Sequence, residues 1–170
     1  MNTNTKNGVI TTFHENGKKH TEENWVNGKQ EGLFTAWHKN GKREGQWAYK
    51  NGKADGLVIG YHGNGQQKCE IFYKDGNREG LSTVWFPNGQ KNSEFTFLNG
   101  KEEGIATFWY RTGQKKCEDF YKNGEMDGVW VLFRENGSKK EEAIYSNGKF
   151  VSSESFKNIK VVSLPLQQAA

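Results

Sequence analysis

The stretch "WHKNGKREGQWAYKNGKADG", Trp37 to Gly56, carries the pair Asn-Gly twice, at Asn40-Gly41 and Asn51-Gly52. Each pair follows an aromatic residue, Trp37 for the first and Tyr49 for the second. Asn and Gly tolerate the positive φ that tight primed turns demand, so Asn-Gly between β-branched and aromatic residues is a strong hairpin signal. Two such signals within thirteen residues set a spacing that can be followed in both directions.

The second pair recurs as Asn27-Gly28, Asn51-Gly52, Asp75-Gly76, Asn99-Gly100, Asn123-Gly124 and Asn147-Gly148, always 24 residues apart. The first recurs at the same interval as Asn16-Gly17, Asn40-Gly41, Asn64-Gly65, Asn88-Gly89, Thr112-Gly113 and Asn136-Gly137. Two aromatic rows keep the same clock: Phe13, Trp37, Tyr61, Trp85, Trp109, Phe133, and Trp25, Tyr49, Tyr73, Phe97, Tyr121, Tyr145. So does a lone glycine, at Gly8, Gly32, Gly56, Gly80, Gly104 and Gly128, each followed by an apolar residue or Val9-like aliphatic. A fixed period over most of a chain is the signature of a repeat architecture.

Only eight or nine residues separate the turns, too few for a helix capped at both ends. Each unit is therefore two short strands and two tight turns. The expected fold is all-β: an elongated, twisted, single antiparallel β-meander of tandem hairpin repeats, about 12–14 strands, with little or no helix. Residues 1–7 precede the array as a leader or cap, 8–151 hold six repeats, and 152–170 form an irregular C-terminal cap and tail. In that last segment the clock fails, and strands are expected over Phe150–Phe156 and Ile159–Leu164, the second a segment that could pair with a partner's sheet.

Composition agrees. The 170 residues are 33% hydrophobic and 14% aromatic, with 21 glycines against two prolines. That is too little apolar mass for a deep two-layer core and too aromatic for a disordered chain. The net charge of +4 is spread without a block of five like charges, so no nucleic-acid partner is expected. No signal peptide and no apolar run of membrane-spanning length is visible, and the expected location is cytoplasmic.

Within a unit, a two-residue first turn sets the lone glycine opposite the second aromatic, Gly32 with Tyr49 and Gly104 with Tyr121. An aromatic laid across such a glycine restores buried surface. A two-residue first turn also puts Trp37 and Tyr49 on opposite faces, whereas a three-residue bulged turn puts them on one. Lys-Asn-Gly-Lys fits both; the bulged form is preferred, and with it one continuous aromatic stripe.

Glu22, Glu70, Glu94, Glu118 and Glu142 form a row broken by Gln46, with Lys19, Arg43, Lys91, Lys115 and Lys139 three residues earlier. Neighbours in such a row stand roughly 10 Å apart, too far for a carboxylate pair near 5 Å, and cross-strand pairing with lysine is expected. His14, His38 and His62 also lie one repeat apart, a row rather than a metal cluster, so no metal site is assigned. Cys69 and Cys117 fall two repeats apart, beyond disulfide reach, and are expected as reduced thiols in a small-residue position shared with Thr21, Gly45 and Ser93. No phosphate loop, CxxC pair or nucleophile motif occurs; no catalytic residue, cofactor or metal is assigned, and the chain is not expected to be an enzyme. A carbohydrate-active enzyme stacking sugars on the aromatics is a third alternative, which the spacing disfavours.

The units "NGKREGQWAYKNGKADG", "NGQQKCEIFYKDGNREG" and "NGQKKCEDFYKNGEMDG" resemble the bacterial MORN-repeat variant. The resemblance spans about residues 8 to 150 and implies an extended β-meander acting as a non-catalytic protein-binding scaffold. It also implies an antitoxin or immunity protein that sequesters a toxin, and, as an alternative, a module associated with membranes or anionic lipid. The positive charge departs from the acidic inhibitors expected for basic nuclease toxins. Trp and Tyr are favoured interface anchors, so Trp37, Tyr61, Trp85, Trp109 and Phe133 are the candidate partner-binding residues. The expected partner is another protein, a cognate toxin among them, and the expected state a monomer or an edge-mediated dimer.

Overall fold

A computed structural model describes residues 6–157. Its strands are β1 (Gly8–Phe13), β2 (Lys19–Val26), β3 (Lys29–Gln30), β4 (Gly32–Trp37), β5 (Arg43–Lys50), β6 (Lys53–Tyr61), β7 (Gln67–Lys74), β8 (Asn77–Trp85), β9 (Lys91–Leu98), β10 (Lys101–Glu102), β11 (Gly104–Trp109), β12 (Lys115–Lys122), β13 (Glu125–Met126), β14 (Gly128–Phe133), β15 (Lys139–Ser146) and β16 (Lys149–Ser155). All belong to one antiparallel sheet that runs in sequence order from β1 to β16, the two-residue strands β3, β10 and β13 extending the hairpins of β2, β9 and β12. The described residues contain no helix. The expected all-β meander is the fold observed. Strand β16 covers the first C-terminal strand expected from the sequence, while Ile159–Leu164 lies outside the described residues.

The two Asn-Gly pairs of a unit make different turns. At Asn51-Gly52 both residues have positive φ, 51° and 79°, and Lys50 pairs with Lys53, so the loop has two residues. At Asn40-Gly41 only the glycine is left-handed; His38 N–H donates to Lys42 C=O and Gly41 N–H to His38 C=O, closing a three-residue loop. This is the bulged turn preferred from the sequence. Asn40, released from the left-handed role, accepts the Lys42 N–H at Oδ1 and donates through Nδ2 to Gly63 C=O in the next repeat.

The single aromatic stripe does not follow. Trp37 pairs with Arg43 but Ala36 pairs with Gly45, so Glu44 is an extra residue that shifts the register back. Because of this second bulge, Gly32 faces Tyr49 while Trp37, five residues along the same strand, points to the opposite face. The same shift recurs in every hairpin of this kind, and all six lone glycines pair with second-row aromatics.

Those glycines are not held by crowding from the ring. At Gly32 a Cβ would meet nothing within 4 Å, but φ is +79°. The backbone there steps between β3 and β4, a conformation that glycine adopts at little cost. The step turns the preceding acid toward the next repeat. Glu31 accepts the backbone N–H of Asn51 at 2.7 Å, and Asp55, Glu79, Glu103 and Asp127 do the same for Asp75, Asn99, Asn123 and Asn147. Neutralising this ladder at one rung is expected to cost about 1 kcal/mol, the usual net worth of such a bond. Urea denaturation of Glu103→Ala against Glu103→Gln, which keeps an acceptor, checks it; equal loss in both would reject the ladder.

The inner face carries the second aromatic row and its neighbours: Phe34 meets Trp47 with ring centroids 5.2 Å apart and Tyr49 at 6.5 Å. Val58, Phe97, Ala106 and Ala143 are buried, but among the described residues no large side chain is fully enclosed. Cohesion is thus distributed, each hairpin held chiefly by its neighbours as in other linear arrays.

Candidate functional site

Strand alternation sorts the outer face into three lanes running along the array. Next to the first turns lies the first aromatic row: Phe13, Trp37, Tyr61, Trp85, Trp109 and Phe133. A middle lane holds alternating Thr and Glu positions, such as Glu22 opposite Thr35 and Thr83 opposite both Glu70 and Glu94. Beside the second turns runs an aliphatic lane, described below.

The bulge that follows each first turn sets the charges of the middle lane. Lys19–Glu22, Lys91–Glu94 and Lys115–Glu118 close at 2.5 Å, and Lys139–Glu142 at 2.7 Å. These are pairs along one strand, not the cross-strand pairs expected from the sequence. The extra residue of the bulge brings positions three apart onto one face, which an unbroken strand would place on opposite faces. Half-exposed pairs of this kind contribute roughly 0.2–1 kcal/mol each.

Two of these lysines also lie over rings of the aromatic row. Lys19 Nζ lies over the Trp37 ring at 5.4 Å and Lys91 Nζ over Trp109 at 5.4 Å. At Trp85 the position of Lys19 and Lys91 is held by Gln67, which bonds Glu70 at 3.0 Å as those lysines bond their glutamates but brings no positive charge to the ring. The five predicted residues Trp37, Tyr61, Trp85, Trp109 and Phe133 are all half-exposed on the outer face. They form a row rather than a cluster.

The histidine row has a structural role visible only in three dimensions. His14 Nε2–H donates to Trp37 C=O at 2.7 Å, His38 to Tyr61 C=O at 3.1 Å and His62 to Trp85 C=O at 2.8 Å. The next position, Phe86, has no side-chain donor, but beyond it Tyr110 donates to Phe133 C=O and Arg134 to Phe156 C=O. His, Tyr and Arg interchange because each reaches a carbonyl one repeat away with a side-chain donor. Among the described residues no three His, Cys, Asp or Glu converge on one point.

On the inner face, Cys117, Asp119 and Tyr121 follow one another at alternate positions of β12. Asp119 is 7% exposed, and its Oδ1 has no hydrogen-bond partner. The same repeat position holds Trp47, Ile71, Phe95 and Ala143 elsewhere, and in the first repeat Glu23, whose carboxylate accepts from Gln30. Burial raises the Asp119 pKa, against smaller opposing effects of hydrogen bonds from Cys117 and Tyr121. Burial, with the Asp119 charge next, pushes the Cys117 thiol up to about 12. A thiol so disfavoured as thiolate is a poor nucleophile. Cys69 and Cys117 are both free.

Sequence reasoning passed over three features: the acid ladder, the buried Asp119 and the aliphatic lane. The first and third were present as positions on the 24-residue clock, the acid before five of the six lone glycines (Asn7 precedes Gly8) and the aliphatic after all six.

A single antiparallel sheet of tandem hairpins, stitched repeat to repeat, defines a β-hairpin repeat protein. A family model described as MORN repeat variant matches residues 6–27, 30–51, 78–99, 102–123 and 126–147. These five stretches cover more than half of the 170 residues. The chain belongs to the MORN repeat variant family, whose repeats are generally non-catalytic binding and scaffold modules. The intervening unit keeps the same architecture, with Gly56 opposite Tyr73 and Asp55 bonded to the Asp75 N–H. No curated protein matches the chain.

Proposed function

We propose that the protein is a non-catalytic scaffold that binds another protein through the aromatic lane of its outer face. The observation that carries this reading is Trp85, an indole with glutamine in place of the lysine that caps Trp37 and Trp109. Large aromatic rings that are rigidly mounted and open to a partner are the usual centres of binding energy in an interface. Its surroundings are repeated hydrogen-bonding groups on a stiff sheet, suited to an extended surface rather than to a small molecule. An antitoxin or immunity role is the form of this reading in which the partner is a toxin.

Capture from native lysate with the wild-type chain and with Trp85→Ala tests it. A protein retained by wild type should bind Trp85→Ala more weakly by about 2 kcal/mol, roughly 30-fold in Kd. Equal retention by the two chains would count against the aromatic lane, and no retained protein at all against the scaffold itself.

A further inference from the structure

From the aliphatic lane we infer that the protein forms a face-to-face dimer, two copies packing these lanes together as the two layers of a β-sandwich. This goes beyond the partner-binding reading and needs no partner. The lane consists of the residue after each lone glycine and the residue paired with it. Leu57 faces Phe72, Ile105 faces Phe120 and Val129 faces Ile144. Their exposures run from 39% at Phe120 to 61% at Ile105, and Leu33 and Leu81 lie in the same lane at 60% and 57%. A groove of about 430 Å³ is lined by Ile105, Phe120, Val129 and Val131 together with Gly128 and the acids Glu118, Asp119 and Asp127.

A stable domain buries the apolar face of a sheet against a second layer, and the described residues supply one layer only. The exposed side chains of the lane amount to on the order of 800 Å², more than a typical isolated surface patch and close to one partner's share of a standard interface.

A second copy fits better than an arbitrary partner for two reasons. Sheets pack face to face only when their twists agree, and an identical array has the same twist and the same advance per repeat along its whole length. Charge opposes this packing less than the sequence suggests: Glu118 is neutralised by Lys115, and Asp127, which keeps its charge, is held by the Asn147 N–H. A two-fold axis through the lane leaves each aromatic lane on an outer flank of the pair.

Sedimentation velocity of the purified full-length chain, across concentrations from one to a hundred micromolar, decides the point. The wild type should sediment as a dimer. Leu57→Lys with Ile105→Lys should weaken self-association by more than roughly 100-fold, as charges forced into an apolar interface do. Leu57→Thr with Ile105→Thr keeps strand-forming residues in the lane; it should also be monomeric with an unchanged far-UV circular dichroism spectrum. Trp85→Ala should leave the dimer intact whatever happens to a captured partner. A monomeric wild type at a hundred micromolar, a dimer that survives both lane variants, or a dimer lost in Trp85→Ala overturns the assignment.

Discussion

Gly45→Val is expected to destabilise the fold by about 3 kcal/mol, the upper range for overpacking a fitted site. The reason is local and does not involve backbone freedom. A Cβ at Gly45 would lie 2.7 Å from Trp47 Cη2 and 2.9 Å from the Ile59 carbonyl oxygen. The indole belongs to the same strand and is held against Phe34, and the carbonyl belongs to the ladder between β5 and β6, so neither yields easily. Equivalent positions hold Thr21, Cys69, Ser93 and Cys117 because the residue two further on is smaller or narrower there: Glu23, Ile71, Phe95 and Asp119. Urea denaturation should show the loss, and Trp47→Ile in the same chain should recover part of it. A Gly45→Val protein within 0.5 kcal/mol of wild type, below the effect of ordinary core strain, would refute this packing.

Asp119→Ala should act in the opposite direction and stabilise the chain by about 1–3 kcal/mol near pH 7, the cost of a buried unsatisfied polar group. Alanine already fills this position at Ala143, and the paired Ala106 is fully buried, so the smaller side chain has a precedent in the array. The gain depends on pH. Burial makes the folded-state pKa of Asp119 higher than its ordinary value. A carboxyl shifted this way contributes its full stabilisation below the unfolded pKa and loses it as pH rises through the raised folded value. Wild type should therefore lose ground to Asp119→Ala as pH climbs from below about 4, the unperturbed aspartate value. Denaturation at pH 3.5 and pH 7.5 measures both ends. A difference that stays constant with pH, or a variant less stable at pH 7.5, would contradict the burial argument.

Much of this architecture was legible in the 24-residue clock. The meander follows from turn spacing, whereas the Gly32–Tyr49 opposition, expected from a two-residue first turn, is produced instead by a three-residue loop followed by a second bulge. What the spacing did not carry was the second bulge. Glu44 and its counterparts Lys68, Asn92 and Lys116 share no residue type that would mark an extra residue. That unmarked residue sends Trp37 and Tyr49 to opposite faces and joins Lys19 to Glu22 within one strand. The candidate row Trp37, Tyr61, Trp85, Trp109 and Phe133 could be named from periodicity, but the missing cap over Trp85 depends on which side chain the bulge delivers. Asp119 read as one more polar residue in a polar sequence, since burial is a property of the folded sheet.

The stitches between repeats also determine how the array responds to tension. Asn40 to Gly63, His38 to Tyr61 and Glu31 to Asn51 each join one repeat to the next, and none skips a repeat. Pulling on the two ends loads these bonds across the strands, so they open in succession like a zip instead of shearing together. Each hairpin pair that peels away frees 24 residues, about 80 Å of chain at full extension. The sheet can therefore lengthen in equal steps while the remaining repeats stay folded.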